Sequence, residues 1–320
     1  MAKTKQEKLD DKAEKQYNKT HKKQYKYSVG DIVFYIFNYA FFTIFTVSCI
    51  FPFYYLFINT ISDNAMVIRG AITFVPHGIH LQNYIKLFSG NNDLFQAFKI
   101  TVLRTVLGTA LMVLSTAFVG YIVTKREMWH RTLWYRLMLI TMYFNAGLVP
   151  AFMNMSMLGL TNTFAAYIIP TIVVPYNIIL VKTYIESIPA ELEESAQMDG
   201  AGYMKVFFSI VLPLCKPILA TITIFGAVGH WNSFTDSLMY MRNAPDLHTL
   251  QHKLYTWLNT TSNLGAIADG GGGSSVSDVA SNLKINKYTI SMITIIPILC
   301  VYPFMQRYFE KGIMLGAVKG

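Results

Sequence analysis

Chemistry in this chain could sit only at the polar side chains that interrupt long apolar runs. Asn145, Asn177, His230, Asn232 and Asp236 fall within or beside such runs, accompanied by Tyr143, Tyr176 and Trp231. Polar groups at membrane depth are costly and tend to face a bundle interior or a water-filled cavity. Two pairs stand out, Asn145 with Gly147 and Trp231 with Asn232, because a small or polar group beside an aromatic face combines ring stacking with hydrogen bonding to hydroxyls. Each residue also has a structural alternative: a buried Asn bonds a neighbouring helix, and an aromatic at a span end anchors it at the interface. The acids and histidines form no paired carboxylate, zinc motif or nucleophile and base arrangement. The glycine run at Gly270 lacks the lysine of a G-x-x-x-x-G-K-[ST] phosphate cradle. The chain is therefore expected to hold no metal or cofactor and not to hydrolyse ATP. Cys49, Cys215 and Cys300 offer no disulfide framework and read as small apolar fillers.

A second stretch, EESAQMDGAGYMKVFFSIVLP from Glu193 to Pro213, is polar and glycine-hinged between two apolar regions. Ser187 is a plausible helix cap, Pro189 suits a first turn, and Glu191, Glu193 and Glu194 sit where the positive end of a helix dipole favours acids. A short helix is expected there. Gly200 and Gly202 then permit a sharp turn, and YMKVFFSIVLP runs apolar to Pro213. The result is an elbow, with one arm free to face a partner and the other packed on the bundle. An ordinary amphipathic interfacial helix is the alternative reading.

The elements that must position these residues are membrane spans. Of 320 residues, 53% are hydrophobic and 14% charged, a charged fraction well below that of soluble domains. An all-α integral membrane protein follows. Roughly 20 apolar residues make one crossing, and the uncharged runs give six, at about 32–56, 105–123, 132–155, 161–184, 217–236 and 288–306. The third and fourth come from one run, Leu137 to Val181, divided at Asn154, Ser156, Asn162 and Thr163. The first 30 residues hold nine Lys against four acids. With Lys125, Arg126, Arg131, Lys182, Lys205 and Lys216, this tail places both termini and the Glu193 stretch in the cytoplasm. The net charge of +9 then needs no nucleic acid. Residues 1–30 read as a basic tail without signal-peptide features, residues 31–320 as the six-span domain, residues 62–99 as a long outside segment that folds as a re-entry or a surface helix, and residues 265–282 as a glycine and serine loop.

The stretch resembles the EAA loop of binding-protein-dependent ABC importers: Glu-Ala-Ala, three residues, Gly, nine residues, Ile, one residue, Leu-Pro. Here Glu194, Ser195, Ala196, Gly200, Ile210, Leu212 and Pro213 keep every spacing, with Ser195 replacing Ala. FNAGLVP at Phe144–Pro150, IPAELEESAQMDGA at Ile188–Ala201 and WNSF at Trp231–Phe234 are similar to the carbohydrate-uptake permeases of the oligosaccharide and complex-saccharide type. The resemblance implies a multi-pass bacterial plasma-membrane subunit. It would pair with a second homologous permease, two cytoplasmic ATPases that bind ATP and Mg, and an extracellular solute-binding lipoprotein. It also implies a coupling helix, Glu191 to Gly200 and including Asp199, in an ATPase cleft, with Glu194 offered to a basic residue and Ala196 allowing close approach. Tyr143, Tyr176 and Trp231 would then stack on sugar rings, with Asn145, Gly147, Asn177, Asn232 and Asp236 along the path. A permease for a peptide, amino acid or phosphonate, or a membrane sensor, are the alternatives. The sensor would need a signalling domain.

Overall fold

The computed structural model describes residues 28–89, 92–269 and 284–303, and among them every regular element is helical. In chain order these are α1 (Val29–Ile61), α2 (Asn64–Ile68), α3 (Gln82–Ser89), α4 (Asn92–Thr124), α5 (Arg131–Tyr143) and α6 (Leu148–Met157). There follow α7 (Ala165–Thr171), α8 (Pro175–Ile185), α9 (Glu191–Met198), α10 (Tyr203–Leu214), α11 (Lys216–Asn232), α12 (Thr235–Tyr240), α13 (Leu250–Asp269) and α14 (Lys284–Pro303). The chain forms two units, Met1–Tyr54 and Tyr55–Gly320.

In the first unit the described residues are the leading part of α1. Phe37, Phe41 and Phe45 recur every fourth residue, so their rings stack along one side, with centroids 6.4 and 6.5 Å apart. These and most other large apolar side chains of this part are exposed, as suits a helix solvated by lipid.

In the second unit α4 is the central post, packed against α3, α7, α8, α11 and α13. Missing side chains set how closely its neighbours approach. A Cβ at Gly108 would lie 2.5 Å from the His230 ring on α11, and one at Gly120 would lie 2.9 Å from Val181 on α8. Substituting either glycine therefore forces two helices apart.

Among the described residues three helices, α1, α4 and α14, are long and apolar enough to cross a membrane singly. Two bent pairs are long and apolar enough only when taken together, α7 with α8 at 46° and α10 with α11 at 79°. The first break follows from Pro175, which lacks an N–H and drives Val174 into an extended conformation. Ser115 of α4 donates its hydroxyl to the Ile172 carbonyl beside this break, so backbone freed from the helix is paired inside the bundle.

Several expected boundaries move. The stretch 132–155 is not one helix but α5 and α6, parted at 144–147, where Gly147 adopts φ +89° and Asn145 Oδ1 accepts the Gly147 N–H at 2.8 Å. Polar residues do part α6 from α7, with Asn162 in the left-handed region at φ +57°. The apolar run 105–123 is only the latter part of α4, and 217–236 ends early, at Asn232, with α12 a separate turn. Within 62–99 lie α2, α3 and the first residues of α4. Residues 304–306, most of the basic tail and residues 270–282 of the glycine and serine loop lie outside the described residues, while 265–269 belong to α13.

Candidate functional site

Two groups of candidate residues flank the two ends of the α10–α11 pair along the chain. At one end α9 begins at Glu191 with Glu191, Glu193 and Glu194 in its first turn, stabilised by the helix dipole. Its cap differs from the expectation. Ala190 occupies the cap position without a side-chain bond, and the Ser187 hydroxyl instead donates back to the Tyr184 carbonyl at 2.6 Å, closing the end of α8. The C-terminus closes as a Schellman turn: Ala201 N–H reaches Ala196 O and Gly200 N–H reaches Gln197 O, both at 2.9 Å. Gly200 carries φ +79°, which explains the glycine. Gly202 is ordinary extended backbone at φ −71° and needs no glycine.

Beyond the turn, α10 is not uniform. Residues Phe207–Val211 form a π turn, the Leu212 N–H reaching back to the Phe207 carbonyl. Such turns insert one residue into a helix. Phe207, Val211 and Cys215 then fall in line in the core with Tyr121, Val181 and Ile222. Ile210 and Leu212 are half-buried and Pro213 is exposed. On α9 itself Glu191, Glu194, Ser195 and Asp199 are exposed, whereas Ala196 packs against the core of its own chain.

At the other end, α11 stops at Asn232 and the chain turns into α12. Arg104 of α4, with 1% of its side chain exposed, pairs with Asp236. Its Nη1 also donates at 3.2 Å to both Asp236 Oδ1 and the Ser233 carbonyl, and its guanidinium lies 4.6 Å from the Tyr167 ring centroid. Asp236 further accepts Ser233 Oγ at 3.0 Å and the Ser237 N–H at 2.8 Å. Tyr167 places its hydroxyl 2.7 Å from the Leu247 carbonyl and 2.9 Å from Ser237 Oγ, and Ser237 Oγ lies 2.8 Å from His252 Nδ1. Burial, then the charges of His248 and Lys253, push the His252 imidazole down to about 4, with Asp236 opposing. It is neutral near pH 7. These bonds join α4, α7, α12 and α13 around one buried ion pair, which makes the cluster a clamp between helices.

The remaining candidates divide by exposure. Trp231 is 8% exposed, donates Nε1–H to the Thr294 carbonyl at 3.1 Å and meets Phe98 edge to face at 6.3 Å. Asn177 is buried with Nδ2 3.6 Å from Met112 Sδ, and His230 is buried against Gly108. Tyr143, Asn145, Tyr176 and Asn232 are exposed, and Asn232 Oδ1 accepts Gln251 Nε2 at 3.2 Å. The structure thus joins Trp231, Asn232 and Asp236 to one helix junction and leaves Tyr143, Asn145 and Gly147 at the α5–α6 break. Sequence reasoning missed Arg104, Tyr167, Ser237 and His252. The usable signal was a lone arginine inside an apolar helix, which demands a partner at the same depth.

Residues 24–315 match the family described as binding-protein-dependent transport system inner membrane component. The chain is 31% identical over 283 residues to the polygalacturonan/rhamnogalacturonan transport system permease protein YtcP of Bacillus subtilis, covering 88% of this chain and 96% of that one. It is 30% identical to the arabinooligosaccharides transport system permease protein AraQ of Halalkalibacterium halodurans, covering 85% and 91%. Its fold is similar to a chain of a bacterial ABC transporter involved in the import of the acidic polysaccharide alginate, with TM-score 0.77, 30% identity, and 88% and 99% covered.

Proposed function

We propose, for a chain that belongs to the binding-protein-dependent transport system inner membrane component family, that it is the permease subunit of an ATP-driven importer of a sugar or oligosaccharide. It is a multi-pass plasma-membrane protein, and a transport component rather than an enzyme. The observation that carries the reading is the elbow, an acidic helix held outside an apolar bundle by a Schellman turn and a packed arm, in a chain whose relatives are saccharide permeases along nearly their whole length.

In this reading the bundle crosses the membrane six times, with α5 and α6 together forming the third crossing, and both termini lie in the cytoplasm. A second homologous permease completes the path, two cytoplasmic ATPases bind ATP and Mg, and an extracellular solute-binding lipoprotein delivers the solute. The exposed Glu191, Glu194, Ser195 and Asp199 of α9 meet an ATPase, with Glu194 opposite a basic residue, while Gly200, Ile210, Leu212 and Pro213 shape the elbow behind them. Closure of the ATPases brings the two elbows together and biases the bundle between inward-open and outward-open states. Tyr143, Asn145, Gly147, Tyr176 and Asn232 are the members available to the sugar. Trp231, Asn177 and Asp236 support that wall from inside the chain.

The test is reconstitution of the chain with its partner permease, ATPases and binding protein in proteoliposomes. ATP-dependent uptake of a labelled oligosaccharide, competed by the unlabelled sugar and not by peptides or amino acids, is the expected result. Uptake of a peptide, amino acid or phosphonate in place of sugars overturns the substrate class.

A further inference from the structure

The acids of α9 do not all point one way. Glu191 and Glu194 are exposed, but Glu193 turns inward and its carboxylate forms an ion pair with Lys125 Nζ, the two side chains exposing 16% and 18% of their surface. Ala196 lies three residues on and packs against the core, so positions 193 and 196 form the inward face of the helix. Lys125 directly follows the last turn of α4, and its ammonium also lies 4.2 Å from the Tyr121 ring centroid. Tyr121 in turn donates its hydroxyl to the Tyr203 carbonyl at 3.3 Å, on the far side of the Gly200 turn. The end of α4 is thereby bonded to both arms of the elbow.

An isolated surface ion pair contributes little. This one is mostly shielded from water, is shared with an aromatic face, and belongs to a chain of contacts. Without it α9 is attached to the bundle through Ala196 and its two flanking turns, and a push on its exposed face can be dissipated by rocking about Gly200. From this arrangement we infer that Lys125 is a positioning residue for transport: with Glu193 and Tyr121 it clamps α9 to α4, so that movement of the exposed face of α9 reaches the central span. The inference rests on the permease reading for its consequence, but the clamp can be measured without it.

The test compares Lys125→Ala, Glu193→Ala and the charge swap Lys125→Glu with Glu193→Lys in the complete complex. Two readouts are taken: hydrogen exchange of the amides of residues 191–198, and solute moved per ATP hydrolysed, with ATPase co-purification as control. Each single variant is expected to speed exchange in α9 roughly fivefold and to lower solute per ATP several-fold, with ATPase association retained, and the swap is expected to recover part of both, because it restores the ion pair but gives up the contact of a cation with the Tyr121 ring. Unchanged exchange and an unchanged ratio in Lys125→Ala overturn the clamp, as does a swap that recovers neither. Loss of ATPase association in Lys125→Ala also overturns it, because the pair would then serve assembly. If the wild-type complex imports a solute that is not a sugar, the substrate reading fails, while exchange and the ratio for that solute still decide the clamp.

Discussion

The regions flanking the two ends of the α10–α11 pair use charge in opposite ways. At the α11–α12 junction the Asp236 carboxylate is taken up by Arg104, Ser233 and Ser237 of its own chain. On α9, only Glu193 is bonded inward, and Glu191 and Glu194 face outward. A charge paired within the chain holds helices in place, and one left exposed on a rigid helix is available to another molecule. The contrast separates a clamp from a docking face, although both regions look alike as polar interruptions of an apolar sequence.

The largest effect should come from breaking the clamp on one side. Asp236→Ala leaves the Arg104 guanidinium buried without its counter-charge and is expected to cost about 3–5 kcal/mol, seen as loss of monodisperse protein in detergent and a lowered unfolding temperature. The apolar pair Arg104→Met with Asp236→Leu should recover much of that loss. If Asp236→Ala keeps wild-type stability yet abolishes uptake, Asp236 belongs to the transport path and the contrast collapses.

Trp231 extends the comparison to a packed aromatic. Trp231→Ala empties a buried site and loses the bond to Thr294, at a cost of roughly 3–4 kcal/mol, with less assembled complex but transport per complex retained. Trp231→Phe should restore assembly. Reduced transport per complex at normal assembly would instead place this ring against the sugar.

At the docking end the expected change in stability is small and the change in association large. Glu194→Lys, on an exposed helix surface, should alter stability by no more than about 0.5 kcal/mol while reducing ATPase pull-down and uptake. Gly200→Val, forced toward φ +79°, should destabilise the elbow by about 1–2 kcal/mol and impair uptake with membrane insertion intact. Normal pull-down and uptake in both variants would return α9 to an interfacial helix.

A further test of the contrast uses acid. Because the His252 imidazole titrates at about 4 when folded and near 6.5 when unfolded, the unfolded chain binds more protons between these values. Stability is therefore complete above about pH 6.5 and falls as pH drops toward 4. His252→Gln should flatten that slope in a thermal-shift series, with the docking end unaffected. An unchanged slope would remove His252 from the clamp's pH response.

What could be read beforehand follows from the range of each signal. Uncharged runs found α1, α11 and α14 because hydrocarbon thickness acts on local composition. They placed the start of the second span at Thr105, since Arg104 ended the run, whereas α4 begins at Asn92. Its partner Asp236 is 132 residues away, and no local pattern reports such a pairing. The elbow was legible as a helix, a turn at Gly200 and an apolar arm. The direction of each glutamate was not, because helix phase is set by Ala196 meeting the core. FNAGLVP was weighed for the pair Asn145 and Gly147 and for its family resemblance, although Gly147 also marked the break between α5 and α6.

The π turn at Phe207–Val211 has a bearing on tolerance to length change. Removing Ser209 would let α10 rewind as a regular α-helix and turn everything before it by roughly 100° about the helix axis. Glu194 would then swing away from the direction it now faces, with every side chain of α9 otherwise intact. A single codon at this place is therefore a rotational adjustment, and homologous elbows that differ by one residue here would present different faces to the same partner.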